Sequence, residues 1–301
     1  MHSRSGDWLA CMHAMMKFFK NKQKNSKKTI QVREVGSNAP WRSQPMSHWE
    51  VLQRIIDNGR PINPILQVPW VDVEICRIDW LHCSDKGVAA EFVGNALTQL
   101  QAKFPETTIA ARVKSLSDRM LAYYKANRVE DKLDCLMPNM FYPGGKKADA
   151  MMHCSAAQCK ALVPFVAQCA NEMLSDNNPV EKAVKMAAQH LKQVYDTLSE
   201  SSFLSADVAR SEGLKFALQY VALHDVAGTE KRWKIKPKLH LWLHMISDGS
   251  KPSRYWNYRD EDYGGSVAKL SRRRGGLQKP GPMSRNVLMR FLVKQPLVRM
   301  R

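Results

Sequence analysis

The sequence predicts a mostly helical protein with a small β component, and three observations support that expectation. Apolar residues recur at helical spacing through most of residues 105–228. A single early stretch, Val71 to Ile78, instead sets Val73, Ile75 and Arg77 against Asp72, Glu74 and Cys76, the alternation of a strand with unlike faces. Basic charge gathers at the two ends and leaves a near-neutral middle that can bury a core.

In chain order, residues 1–45 form a basic lead-in in which Lys17 to Lys28 supplies six lysines and no acid. Ser47 and Glu50 have capping-box spacing ahead of Val51, Leu52, Ile55 and Ile56, and Gly59 and Pro61 stop that helix. Pro61, Pro64 and Pro69 lead into the strand-like stretch. Ser84 or Asp85 then offers a cap for a helix whose stripe is Val88, Phe92, Ala96 and Leu100.

Ile109 to Tyr124 reads as the next helix, capped by Thr107 or Thr108. Leu133 to Tyr142 reads as an extended segment closed by Pro143, Gly144 and Gly145. Ala148 to Leu174 is helical, with Pro164 kinking or splitting it. Asn178 and Pro179 open another helix, and Ser205 caps one that ends at Gly228. Pro237 starts a helix carrying His240 and His244 one turn apart. Arg254 to Tyr258 is strand-like, Asp260 to Arg274 is helix-like, and Ser284 begins a last short helix beyond Pro280 and Pro282.

The formal net charge is +18. Residues 1–60 hold 11 Lys/Arg against 4 Asp/Glu, residues 61–230 hold 17 against 20, and residues 231–301 hold 18 against 4. Such segregation favours a polyanionic partner, DNA first and RNA as the alternative nucleic acid, over an acidic membrane surface. Solvated tails that only aid solubility are the plainer explanation. No membrane span or signal peptide is expected, and seven cysteines without a C-x-x-C pair fit reduced thiols inside a cell.

Four groups could carry chemistry: Asp79 with His82 and Asp85; His240 with His244; Asp260, Glu261 and Asp262; and Arg272, Arg273 and Arg274. Clustered carboxylates suit Mg²⁺ or Mn²⁺, two of which can stabilise the attacking and leaving oxygens of a phosphodiester. Each group also fits a structural role. The aspartates can cap a helix, the histidines can lie in an amphipathic core, the acidic triplet can face a helix N-terminus, and the arginines can form a solvated last turn.

The stretch DWLHCSDKGVAAEFVGNAL resembles the D-x-x-H segment of RNase H-like transposases of the CACTA and related cut-and-paste groups. KIKPKLHLWLHM is similar to their P-K-x-H-x-x-x-H segment, and YRDEDYGGSVAKLSRRRGG resembles the segment that carries their last catalytic acid. The resemblance implies a nuclear enzyme that cuts and joins DNA with Mg²⁺ or Mn²⁺. By carry-over, Glu261 is the catalytic and metal-binding acid with Asp260 beside it, while Asp79, His82, Asp85, His240 and His244 support the site. Lys234, Lys236, Lys238, Arg272, Arg273 and Arg274 would contact nucleic acid.

The family's two catalytic aspartates lie upstream of the D-x-x-H segment, and residues 1–65 offer no counterpart to them. Asp262 also stands where the family has an arginine. The implied arrangement is therefore a partial RNase H-like α/β core, residues 46–104 and 231–276, interrupted by a helical-bundle insertion at 105–230 and followed by a basic tail at 277–301. Its expected function is a transposase-derived nucleic-acid-binding protein, an incomplete strand-transfer or nuclease domain. A non-catalytic helical nucleic-acid-binding or scaffold protein is the alternative.

Overall fold

The computed structural model describes residues 35–36, 38–39, 42, 47–72, 77–141, 150–198, 206–227, 232–247, 251–252 and 256–272, the last seven by backbone alone. The chain divides into two compact units, Met1–Trp256 and Asn257–Arg301. In the first, α1 (His48–Asp57) begins at a closed capping box between Ser47 and Glu50 and ends before Gly59, whose φ of 63° only glycine adopts without strain. A 3₁₀ turn at Pro64–Gln67 follows. Trp80 then enters a π-helical segment, Leu81–Val88, that continues directly into α2 (Ala89–Gln101).

Helix α2 is the centre of the first unit, because every one of its residues except Gln99 is buried. A helix buried all round must be enclosed by other elements. Here α3 (Ile109–Ala126), the short α4 (Pro138–Phe141) and α5 (Ala156–Met173) pack against it, and α5 and α8 (Pro237–Ser247) pack against the π-helical segment. Helix α6 (Pro179–Asp196) joins α5 to α7 (Ala206–Ala227), and α7 carries α8. Asn178 starts α6 by accepting from Val180 N at 3.0 Å and Glu181 N at 3.3 Å, with Pro179 at the position whose missing N–H costs nothing.

A single core therefore joins helices drawn from residues 46–104, 105–230 and 231–247. Phe92 meets Phe216 edge-on at 5.4 Å, and Phe216 meets Trp242 at 5.3 Å, which links α2, α7 and α8 by aromatic edges. Trp233 adopts a left-handed φ of 52°, a strained conformation for a bulky residue that its burial against Phe92 and Tyr220 holds in place.

The expected small β component and RNase H-like α/β core are corrected by this architecture: the described residues form helices joined by turns and irregular segments, with no strand among them. Residues 73–76 of the strand-like stretch lie outside the described residues. Those flanking it, 71–72 and 77–78, belong to no regular element. Among the described residues, α2, α5 and α8 pack on the segment that follows, and no strand is present to supply a ladder. The period-two pattern instead ends at a helix start, where Asp79 takes over the hydrogen bonding.

Three local expectations change as well. Ser84 and Asp85 cap nothing, because the helix begins ahead of them. Pro138 opens one helical turn inside the segment expected to be extended. Pro164 neither splits nor ends α5, which runs unbroken through it. Of the strand-like Arg254 to Tyr258, 254–255 lie outside the described residues, 256–257 belong to no regular element, and Tyr258 is the first residue of α9 (Tyr258–Arg272). The helix expected from Ser284 and the cap at Ser205 also lie outside them. Among the described residues no helix is long and apolar enough to cross a membrane.

Candidate functional site

Asp79 is 0% exposed, and its Oδ2 accepts the His82 backbone N–H at 3.0 Å while meeting His82 Nδ1 at 2.5 Å. A carboxylate that accepts from the backbone three residues on is a helix cap. The contact also orients the imidazole, directing a proton on Nδ1 toward the carboxylate and leaving Nε2 for other partners. The Cys83 thiol donates to the Lys238 carbonyl at 3.4 Å, and burial pushes its pKa up to about 12. Ser84 is committed to the core.

That commitment is a chain of four polar groups. Trp242 Nε1 donates to Ser84 Oγ at 3.1 Å, Ser84 Oγ lies 3.0 Å from the Tyr195 hydroxyl, and Tyr195 donates to Asp85 Oδ1 at 2.5 Å. An indole N–H only donates and a carboxylate only accepts, so Ser84 must donate to Tyr195 and the direction of the whole chain is set by its ends. Ser84 and Asp85 are both 0% exposed. Burial first, and then the Asp85 charge, raise the Tyr195 pKa well above the ordinary phenol value. The chain fastens the π-helical segment to α6 and α8.

Lys238 completes the fastening, donating through Nζ to the His82 carbonyl at 2.7 Å and the Lys86 carbonyl at 3.1 Å. Lys236 pairs with the buried Glu91. Asn95 donates to the Glu91 and Ala150 carbonyls and accepts the Trp233 N–H at 3.2 Å. Lys236 and Lys238, expected at a nucleic-acid surface, make these contacts within the protein while staying part-exposed. Lys234 is half-buried, and its carbonyl accepts from Tyr220.

His240 and His244 come together on α8 with their Nε2 atoms 3.0 Å apart and their rings edge to face. Arg42 is the charged neighbour of both; its guanidinium donates to Ser247 Oγ at 3.1 Å and to the Gly36 carbonyl at 3.0 Å. Burial, then His244 and Arg42, push the His240 pKa down to about 4. Burial and Arg42 lower that of His244.

An unfolded chain takes up a proton at His240 near the ordinary 6.5, and the folded chain only near 4. Between those values the unfolded state binds more protons, so stability falls as pH drops through the window. Urea midpoints are expected to decrease from about pH 7 to about pH 4.5, with His240 contributing on the order of 2–3 kcal/mol. His240→Asn should flatten the profile, and an unchanged slope would contradict the assignment.

Asp260 and Glu261 lie exposed in the first turn of α9, where negative charge suits the helix macrodipole. Arg272 ends α9, and Arg273 and Arg274 lie outside the described residues. Among the described residues no three His, Cys, Asp or Glu side chains form a set that could hold a metal ion. Asp79 and Asp85, expected to support the site, are engaged as cap and hydrogen-bond acceptor, and Asp260 and Glu261, expected to bind Mg²⁺ or Mn²⁺, stand on the exposed first turn of α9. Sequence reasoning missed Tyr195, Trp242 and Arg42, because each acts through partners more than one hundred positions away. No family model, curated protein or solved structure matches the chain.

Proposed function

We propose that this chain is a non-catalytic helical nucleic-acid-binding protein of transposase-derived sequence that holds DNA through its basic ends. The observation that carries the reading is charge distribution: 17 Lys/Arg against 20 Asp/Glu over residues 61–230, but 18 against 4 over residues 231–301. A near-neutral core with cationic ends suits the phosphate backbone. The reading assigns phosphate contacts to Arg272, Arg273, Arg274 and the other basic residues of the ends, and the nucleus as the place of action.

Transposase ancestry is supported by the meeting of two of the resembling segments, through Lys238 on the His82 carbonyl and Trp242 on Ser84. The lack of catalysis is supported by the engagement of Asp79 and Asp85 in internal bonds.

Fluorescence anisotropy of a labelled duplex with the full chain tests the binding. The association constant is expected to fall linearly with salt on logarithmic axes, and steeply between about 50 and 200 mM, because each neutralised phosphate releases counterions. Absence of binding at low salt, or salt-independent affinity, would refute it. Supercoiled plasmid should stay intact with Mg²⁺ or Mn²⁺; nicking that Glu261→Gln abolishes would show an enzyme instead.

A further inference from the structure

Cys154 and Cys159 occupy two positions at a helix start that the backbone brings together. Ser155 caps α5: its side chain accepts the Gln158 N–H at 3.2 Å, and Gln158 Oε1 accepts the Ser155 N–H at 3.0 Å. The residue before such a cap and the fourth residue of the helix pack against one another, ordinarily as an apolar pair that sets the angle at which the chain joins the helix. Here both members of that pair are cysteines with free thiols. The Cys159 thiol is hydrogen-bonded to that of Cys154.

Their surroundings divide the roles. Cys154 is half-buried and so reachable by a small reagent, whereas Cys159 is 1% exposed. The Lys86 ammonium donates to the Cys154 carbonyl at 2.7 Å, and the N-terminus of α5 adds partial positive charge. The hydrogen bond from Cys159, and after it the Lys86 charge, hold the Cys154 pKa below the usual thiol value. The same hydrogen bond, and burial, raise that of Cys159. Cys83 and Cys169 are buried, and burial raises both. Cys135 is exposed.

We propose that Cys154 and Cys159 form a peroxide-sensitive dithiol, with Cys154 as the attacking sulfur and Cys159 as the resolving one. The Cys154 thiolate attacks one oxygen of hydrogen peroxide and the O–O bond breaks. One oxygen stays on sulfur as a sulfenic acid, and the other leaves as hydroxide and takes a proton to become water. The Cys159 sulfur then attacks the Cys154 sulfur, the S–O bond breaks, and the departing hydroxide takes the Cys159 proton to leave as a second water. Two thiols lose two electrons and one peroxide gains them. A covalent link thereby replaces the non-covalent contact at the start of α5. The proposal is independent of nucleic-acid binding.

The test exposes the reduced full chain to graded hydrogen peroxide, alkylates the remaining thiols and maps all seven cysteines by peptide mass spectrometry. A Cys154–Cys159 disulfide is expected at lower peroxide than any oxidation of Cys135, and dithiothreitol should remove it. Cys159→Ala should convert the product to a Cys154 sulfenic acid that dimedone traps. Cys154→Ser, at the half-buried position, should leave Cys159 reduced and carries the test even if the buried alanine variant fails to fold. Oxidation of Cys135 ahead of the pair, sulfinic acid at Cys154 without a disulfide, or a disulfide from either cysteine to another residue overturns the proposal.

Discussion

Tyr195→Phe is expected to destabilise the first unit by about 2–3 kcal/mol, because a hydrogen bond to a buried ionised group is worth more than a neutral one and its loss leaves a desolvated acceptor underserved. The substitution keeps the ring that meets Trp80 edge-on at 5.4 Å, so the packing survives and only the hydroxyl is removed. That hydroxyl is the third member of a four-group chain and serves two neighbours at once, donating to Asp85 and accepting from Ser84. Removing it takes the acceptor from the Ser84 proton and the Tyr195 donor from Asp85. Asp85→Asn keeps an oxygen that can accept from Tyr195 but removes the charge that makes that hydrogen bond strong. The double variant Asp85→Asn with Tyr195→Phe should therefore cost less than the sum of the two singles, by about 1 kcal/mol or more, measured as urea midpoints in a double-mutant cycle. Strict additivity would mean that Tyr195 and Asp85 do not act as a unit.

The helices were legible because their signals are local. Ser47 with Glu50, Thr108 ahead of Ile109, Asn178 with Pro179, and Pro237 each bring their cap or first-turn geometry within four residues, and each helix starts where those residues place it. The strand expectation failed where the signal was ambiguous. A short alternating run beside an acid is also what precedes a capped helix, and only the surroundings decide between them. The π-helical segment was not legible at all: its local pattern reads as an ordinary helix, and Lys238 meets two of its carbonyls from more than one hundred and fifty positions away.

The candidate site followed the same rule. Asp79 was grouped with His82 as an acid and a histidine ahead of a helix, and His240 with His244 because a spacing of four residues puts side chains on one helical face. The cap role of Asp79 was legible from its place ahead of the helix; the burial of Asp79 and Asp85 was not, since it is a property of the assembled core. The sequence marks which residue types stand close together; it does not mark which of them water reaches.

Gly94→Ala tests the assembly of that core at its tightest point. A Cβ added to Gly94 would lie 2.6 Å from Met151 Cα, Met151 C and Met152 N, which are backbone atoms that cannot rotate aside. The close approach has a purpose: Met152 N donates to the Ala90 carbonyl at 2.8 Å, and Asn95, one residue on, donates to the Ala150 carbonyl at 2.9 Å. The extra methyl must push the 150–152 segment off α2, which breaks both bonds and opens the buried face around Phe92 and Val93. Helix propensity acts in the opposite direction, since alanine in place of a helical glycine gains about 1 kcal/mol. Overpacking costs of about 1–3 kcal/mol, together with two lost hydrogen bonds to buried groups at about 1 kcal/mol each, outweigh that gain. A net loss of about 2–4 kcal/mol is therefore expected in urea unfolding. Gly264→Ala is the control, because a Cβ there meets nothing within 4 Å and the propensity gain acts alone. Equal behaviour of the two variants would show that the 150–152 segment does not rest on Gly94.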